Sequence, residues 1–130
     1  TISPNLRFTD DLLDLCASCD YITIHVPATP KTKGMIGADE IAAMKEGAAF
    51  LNFSRDTLVD NDAMRAGLTS GKVRRYVTDF ATPEVMTMEG ALVLPHLGAS
   101  TAEAEENCAE MAVREVMDYL ETGKKVHCVN

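Results

Sequence analysis

Three side chains in this sequence could together handle a small hydroxy acid: Arg55, Glu84 and His96. A guanidinium can hold a carboxylate through two parallel hydrogen bonds, which fixes orientation as well as charge. An imidazole titrates nearer neutrality than other side chains, so it can take a hydroxyl proton or return it. A carboxylate on the imidazole's other nitrogen fixes the ring's tautomer. The set suits reversible oxidation of a 2-hydroxy acid. Spacing alone does not make it specific. Arg55 also reads as half of a surface ion pair, Glu84 as a solvated loop acid, and His96 as a cap within Pro95-His96-Leu97-Gly98.

For the three to meet, the intervening chain must deliver strand ends to one rim. Apolar periodicity predicts elements that do this. Residues 10–18 read as a helix, with Leu12, Leu13 and Cys16 on one face and Asp10 or Asp11 near its N-cap. Residues 21–26 are rich in β-branched side chains and read as a strand stopped by Pro27. Residues 28–37 carry loop chemistry, and 38–45 read as a short helix with Ile41 and Met44 inward. The apolar run 49–53 has the character of a strand buried on both faces. Residues 61–70 read as a helix closed by Gly71, with Ala63, Met64, Ala66 and Leu68 inward. Strands follow at 75–78 and 91–94, with 81–90 irregular between them. A long helix runs from a Ser100 or Thr101 cap to Thr122, and its expected buried stripe is Ala109, Ala112, Val113, Val116 and Leu120. Strands separated by helices imply right-handed crossovers and a parallel sheet of the α/β class. Ligands of such sheets bind at the strands' C-terminal ends. Those ends are His25–Pro27, Asn52–Asp56, Asp79–Glu84 and Pro95–Gly98.

The chain has 130 residues, 46% hydrophobic and 25% charged, the size and make-up of one globular domain. Its formal charge of −8 argues against nucleic-acid and anionic-membrane partners. No apolar run approaches the roughly 20 residues of a membrane span. Four scattered cysteines make no disulfide framework and suit a reducing cytosol. Cys16 and Cys19 form a lone CxxC whose only possible second pair is His127 and Cys128, so a packing role is expected for these cysteines and for Cys108, and no metal site. Met35, Met44, Met64, Met111 and Met117 fall at packing positions, whereas Met86 and Met88 fall in a loop facing a neighbouring subunit. His25 reads equally as a buried histidine and as a ligand contact.

Six ordered stretches carry a resemblance. They are His25-Val26-Pro27, Thr32-Lys33-Gly34-Met35-Ile36, Met44-Lys45-Glu46-Gly47-Ala48, Asn52-Phe53-Ser54-Arg55, Asp79 through Glu84, and Pro95 through Thr101. Over residues 20–130 the sequence resembles the NAD-dependent D-isomer-specific 2-hydroxyacid dehydrogenases. The resemblance implies that Arg55, Glu84 and His96 are the catalytic Arg, Glu and His. It implies that Phe53, Ser54, Arg55, Asp79, His96, Leu97, Gly98 and Ala99 line the nicotinamide half of NAD. It places His25, Val26 and Pro27 at a strand end beside the cofactor.

Two departures qualify it. Asp56 stands where the family commonly has glycine, so a backbone with positive φ is disfavoured there. No Gly-x-Gly occurs, although a dinucleotide-binding turn needs one. Residues 1–130 are therefore expected to form the C-terminal half of a dinucleotide-binding domain, a partial Rossmann-like parallel sheet with flanking helices. Residues 100–123 would be a connecting helix, with the glycine turn and the substrate lobe outside the sequence. Such a chain should bind NAD weakly and expose a sheet edge open to a second copy or to a complementing N-terminal half. The reading from another class is a non-catalytic half-domain acting as an assembly module. Within the family, glycerate, hydroxypyruvate and lactate compete as substrate types.

Overall fold

The computed structural model describes residues 6–127. Cys128, one of the four cysteines, lies outside them. The chain divides into two compact units, residues 1–96 and 97–130.

The first unit is built on a four-stranded parallel sheet in the order β1-β2-β3-β4. Its strands are β1 (Tyr21–Ile24), β2 (Ala48–Asn52), β3 (Val73–Thr78) and β4 (Ala91–Val93). Helix α1 (Leu12–Ser18) precedes β1, and α2 (Ala38–Ala43), α3 (Asn61–Ser70) and α4 (Pro83–Met86) lie in the connections between strands. Caps set the helix starts. Asp11 accepts from the amides of Leu13 and Asp14, Asp60 from Ala63, and Thr82 from Val85. Glu40 reaches back to the amide of Gly37 at 3.0 Å. Gly71 ends α3 at φ 80°, the left-handed conformation predicted from its position.

The core sits on one face of the sheet. Ile22, Ile24, Phe50 and Tyr76 point into it and meet Cys16, Ile41 and Met64 from the helices. Phe50 and Tyr76 pair across β2 and β3, ring centroids 6.2 Å apart. Gly67 is needed where α3 crosses the sheet: a Cβ there would lie 2.8 Å from Ile41 Cγ2. The opposite face carries Tyr21, Thr23 and Leu92 exposed, with Leu51 and Val77 half-buried.

Several expectations change at this level. Residues 83–86 form the short helix α4 rather than irregular chain, because the Thr82 cap and Pro83 at the first helical position nucleate a turn. Met88 follows it into the core, 5% exposed, instead of facing outward. Gly67, not Ala66, occupies the buried face of α3, because the close Ile41 contact leaves no room for a methyl group. His25 is exposed, its Nε2 2.9 Å from Thr23 Oγ1.

The second unit is a turn leading into α5 (Ala102–Thr122). Thr101 caps it, accepting from the Ala104 amide at 3.1 Å, and Gly123 closes it at φ 69°. None of its residues is buried. Val113, Val116 and Leu120 are 60%, 58% and 76% exposed, and Met111, Met117 and Cys108 are exposed too. Periodicity names the apolar side of a helix, but burial needs a facing surface. No helix among the described residues is long and apolar enough to cross a membrane.

Candidate functional site

Parallel strands end on the same side, so the residues after β1, β2, β3 and β4 share one rim. After β2 the chain is held by Asn52, fully buried at the strand's end. Its Nδ2 donates to the carbonyl of Arg55 at 2.8 Å and lies 3.4 Å from the Tyr76 hydroxyl, while its Oδ1 accepts from the Ser54 amide at 3.2 Å. Ser54 Oγ donates to the Val26 carbonyl at 2.7 Å and so ties this loop to the end of β1. Pro27 is held in turn, its carbonyl accepting from Thr32 Oγ1 at 2.7 Å. Phe53 is 38% exposed on the rim.

Arg55 is exposed, and its Nη1 donates to the Ser54 carbonyl at 2.6 Å. No carboxylate pairs with it among the described residues. Asp56 does not take it: Asp56 Oδ1 accepts from the Thr57 amide at 2.8 Å and opens a short 3-10 turn over Asp56–Leu58. The departure from glycine is thus accommodated without strain, since the positive-φ residues other than glycine comprise only His127 among those described. The guanidinium is left with donors for an anion.

Across the sheet, β3 pairs with β4 through Thr78 and Val93, and the Leu94 amide donates to the Thr78 carbonyl at 2.8 Å. The ladder therefore sets His96 beside the residues that follow β3. Asp79 Oδ2 lies 2.9 Å from His96 Nδ1, and the Phe80 ring sits 5.1 Å from the imidazole. An ionised carboxylate only accepts, so Nδ1 carries the hydrogen. In the neutral ring Nε2 is then the basic nitrogen. Asp79 Oδ1 is buried with no hydrogen-bond partner among the described residues, a site prepared for one more donor.

Glu84 stands elsewhere. It occupies the first turn of α4 and lines a cleft of about 510 Å³ with Lys33, Asp56, Asp60, Tyr76 and Phe80. The imidazole is bonded by Asp79 and not by Glu84. The reason is the ladder: Asp79 leaves β3 next to the end of β4, while the turn of α4 carries Glu84 to the cleft wall. Arg65 anchors that turn, donating to the carbonyls of Glu84 and Thr87 at 2.8 and 3.2 Å. Leu97, Gly98 and Ala99 form the turn before α5, with Gly98 at φ 52° and the Leu97 carbonyl accepting from Ser100.

Asn52 was named from sequence only as a strand end, and Tyr76 and Thr78 were not singled out. Among the described residues Asn52 and Thr78 are the two buried polar side chains, and a polar residue closing an apolar strand was the available signal. Burial pushes the Tyr76 phenol above the ordinary tyrosine range, and the Asn52 hydrogen bond opposes that in part. The neutral phenol is the favoured form in the folded chain. On raising the pH the unfolded chain ionises first, so this contribution is whole below the ordinary tyrosine pKa of about 10 and is lost as pH rises toward the folded value. Urea midpoints should hold up to that range and then fall. The phenolate absorbance that is lost on Tyr76→Phe should appear only above the ordinary tyrosine range. A Tyr76 phenolate that forms at or below pH of about 10 would contradict this.

Comparison with known proteins follows the same rim. A family model described as D-isomer specific 2-hydroxyacid dehydrogenase, NAD binding domain, matches residues 3–98. D-3-phosphoglycerate dehydrogenase of Methanocaldococcus jannaschii is 35% identical over 124 residues, 91% of this chain and 24% of that protein. Glyoxylate/hydroxypyruvate reductase B of Cronobacter sakazakii is 34% identical over 133 residues, 97% of this chain and 41% of the reductase. Among solved structures, a D-lactate dehydrogenase from Sporolactobacillus sp superposes with a TM-score of 0.75 at 28% identity, covering 92% of this chain and 42% of that one. The chain spans less than half the length of each. The match to the family model takes in all four strands and every rim residue from His25 to Gly98, and on that ground the chain belongs to the NAD-binding domain family of the D-isomer specific 2-hydroxyacid dehydrogenases.

Proposed function

We propose that this chain supplies the proton-transfer and carboxylate-binding half of an oxidoreductase acting on a D-2-hydroxy acid with NAD. The observation that carries the proposal is the His96–Asp79 pair at 2.9 Å, which leaves Nε2 as an acceptor on the rim. In oxidation His96 Nε2 takes the hydroxyl proton, and in reduction it returns it. Asp79 holds the tautomer and stabilises the imidazolium as it forms. Arg55, with no carboxylate partner among the described residues, grips the substrate carboxylate. Glu84 contributes negative charge from the cleft wall.

NAD supplies the hydride acceptor or donor. The residues present fit its nicotinamide end. Asp79 Oδ1, with no partner among the described residues, would accept from a carboxamide N–H, and Phe53, Ser54 and His96 would border the ring. Val26 and Pro27 shape the rim alongside, with His25 at its outer margin.

The substrate we favour is D-3-phosphoglycerate, oxidised to 3-phosphohydroxypyruvate, the reaction that opens serine biosynthesis. Likeness to phosphoglycerate dehydrogenases supports it. Glyoxylate, hydroxypyruvate, glycerate and lactate remain the alternatives within the family. The reading as a non-catalytic assembly module is not favoured, since Arg55, Asp79 and His96 are all presented at the strand ends. A reducing, cytosolic setting belongs to the same proposal, as does residues 100–123 acting as a connecting helix. So does β1 as the sheet edge open to a second copy or to a glycine-turn half.

Titration of the chain with NADH, followed by fluorescence and sedimentation, is the first test. Weak or no binding is expected from the chain alone, because it has no Gly-x-Gly turn for the pyrophosphate. The decisive test is a hybrid in which this chain replaces the matching segment of a related phosphoglycerate dehydrogenase. Recovery of NAD-dependent oxidation of a D-2-hydroxy acid is expected. A folded hybrid that binds NADH yet oxidises none of these acids would defeat the proposal.

A further inference from the structure

We infer that Asn52 is a positioning residue for Arg55, its buried amide bracketing the Ser54–Arg55 peptide so that the guanidinium stands ready for a substrate carboxylate. The inference rests on the reading of Arg55 given above. Asn52 ends β2 and is 0% exposed. Its Oδ1 accepts from the Ser54 amide at 3.2 Å, and its Nδ2 donates to the Arg55 carbonyl at 2.8 Å. Nδ2 also donates toward the Tyr76 hydroxyl at 3.4 Å. Arg55 Nη1 in turn donates to the Ser54 carbonyl at 2.6 Å. The guanidinium thus rests on the carbonyl of the peptide unit that Asn52 holds from both sides.

The side-chain amide fits these partners in one orientation. Turned over, Nδ2 would face the Ser54 N–H donor to donor, and Oδ1 would face the Arg55 carbonyl acceptor to acceptor. Burying an amide costs free energy unless it is hydrogen-bonded, and a leucine would fill the end of β2 without that cost. The pairing of β2 with β1 and β3 runs through the main chain and asks nothing of this side chain. Its hydrogen bonds go instead to the loop that follows and to Tyr76. They hold Arg55 in extended backbone, φ −150° and ψ 140°, where the 3-10 turn over Asp56–Leu58 begins. Without Asn52 the Ser54 amide and the Arg55 carbonyl lose their buried partner and must turn to find others. The Cα–Cβ bond of Arg55 turns with them. No carboxylate among the described residues holds the guanidinium, so its direction follows the backbone. A planar fork that must meet a carboxylate through two parallel bonds is spoiled by a rotation at its base.

The test is a double-mutant cycle in the hybrid enzyme, made of N52A, R55K and the two combined. The substrate is D-3-phosphoglycerate or, failing it, the hydroxy acid that the hybrid does oxidise. N52A is expected to raise KM about tenfold with kcat nearly kept, because a loosely held arginine grips ground state and transition state equally less well. In the R55K background the bidentate fork is already gone, so N52A should add about twofold at most. Losses that multiply would overturn the role of Asn52, since a merely structural residue weakens both backgrounds alike. A folded N52A with an unchanged KM would overturn it too. N52D keeps the volume and the acceptor for Ser54 but has no N–H for the Arg55 carbonyl. It carries the same expectation and replaces N52A if alanine does not fold. R55K with an unchanged KM would instead defeat the reading of Arg55 as the carboxylate grip, and this inference with it. On the 130-residue chain, hydrogen exchange followed by magnetic resonance should find the Ser54 amide protected, and N52A should release it. A freely exchanging Ser54 amide in the unaltered chain overturns the clasp without reference to turnover.

Discussion

His96→Gln in the hybrid enzyme is expected to lower kcat about a thousandfold, with NADH affinity nearly unchanged. Glutamine approximates the reach of the imidazole but cannot take up a proton at neutral pH. General acid–base catalysis of this kind is worth on the order of 10²–10⁴ in rate. The ring is 56% exposed, so removing it takes little from the core and fold stability should hardly move. Steady-state kinetics over a pH series, with NADH binding measured on the same samples, checks both halves. Turnover within a few-fold of the parent would remove His96 from the mechanism.

The second large effect separates two carboxylates. Asp79→Asn is expected to cost about 10²–10³ in kcat. The amide can donate to Nδ1, which moves the ring proton to Nε2 and leaves no acceptor for the substrate hydroxyl. Where such a change inverts a catalytic imidazole, losses are on the order of 10⁴. The smaller figure here reflects an imidazole that is half in solvent, where water can substitute in part. Glu84→Gln removes a charge on the cleft wall with no bond to the ring. Exposed charges of that kind are worth about 1 kcal/mol or less, so at most about a fivefold loss is expected. The ratio of the two losses is the informative quantity. If Glu84→Gln proved the more damaging, the imidazole's partner in the working enzyme would be Glu84, and the Asp79 contact would describe a different state of the loop.

The assignment of partners to His96 shows where the sequence stops. Arg55, Glu84 and His96 could be named from residue type and order, and the resemblance reached Asp79 as a cofactor-side residue. Nothing in the spacing says which acid meets the ring. That depends on the β3–β4 register, which brings Thr78 opposite Val93, and on a four-residue helix that carries Glu84 to the cleft. Both are relations between distant segments. Thr78, and the hydrogen bonds of Asn52, stayed hidden for a similar reason. Each looks like a polar residue at a strand end, and only burial shows that its hydrogen bonds fasten one rim loop to the next.

Local chemistry by itself settled the helices with strong caps, the strands with β-branched or apolar runs, and the parallel α/β class. The signals for these lie within a few residues of one another: Asp60 and Gly71 bound α3, Thr101 and Gly123 bound α5, and Pro27 and Pro95 follow the ends of β1 and β4. The helix α5 marks the limit of that kind of signal. Its apolar residues recur at helical spacing, yet none of them is buried. Tertiary structure alone decided the histidine's partner, the free state of Arg55, and the entry of Met88 and Gly67 into the core. Each of these is a competition among groups for one place in space, and neighbours along the chain do not determine its outcome.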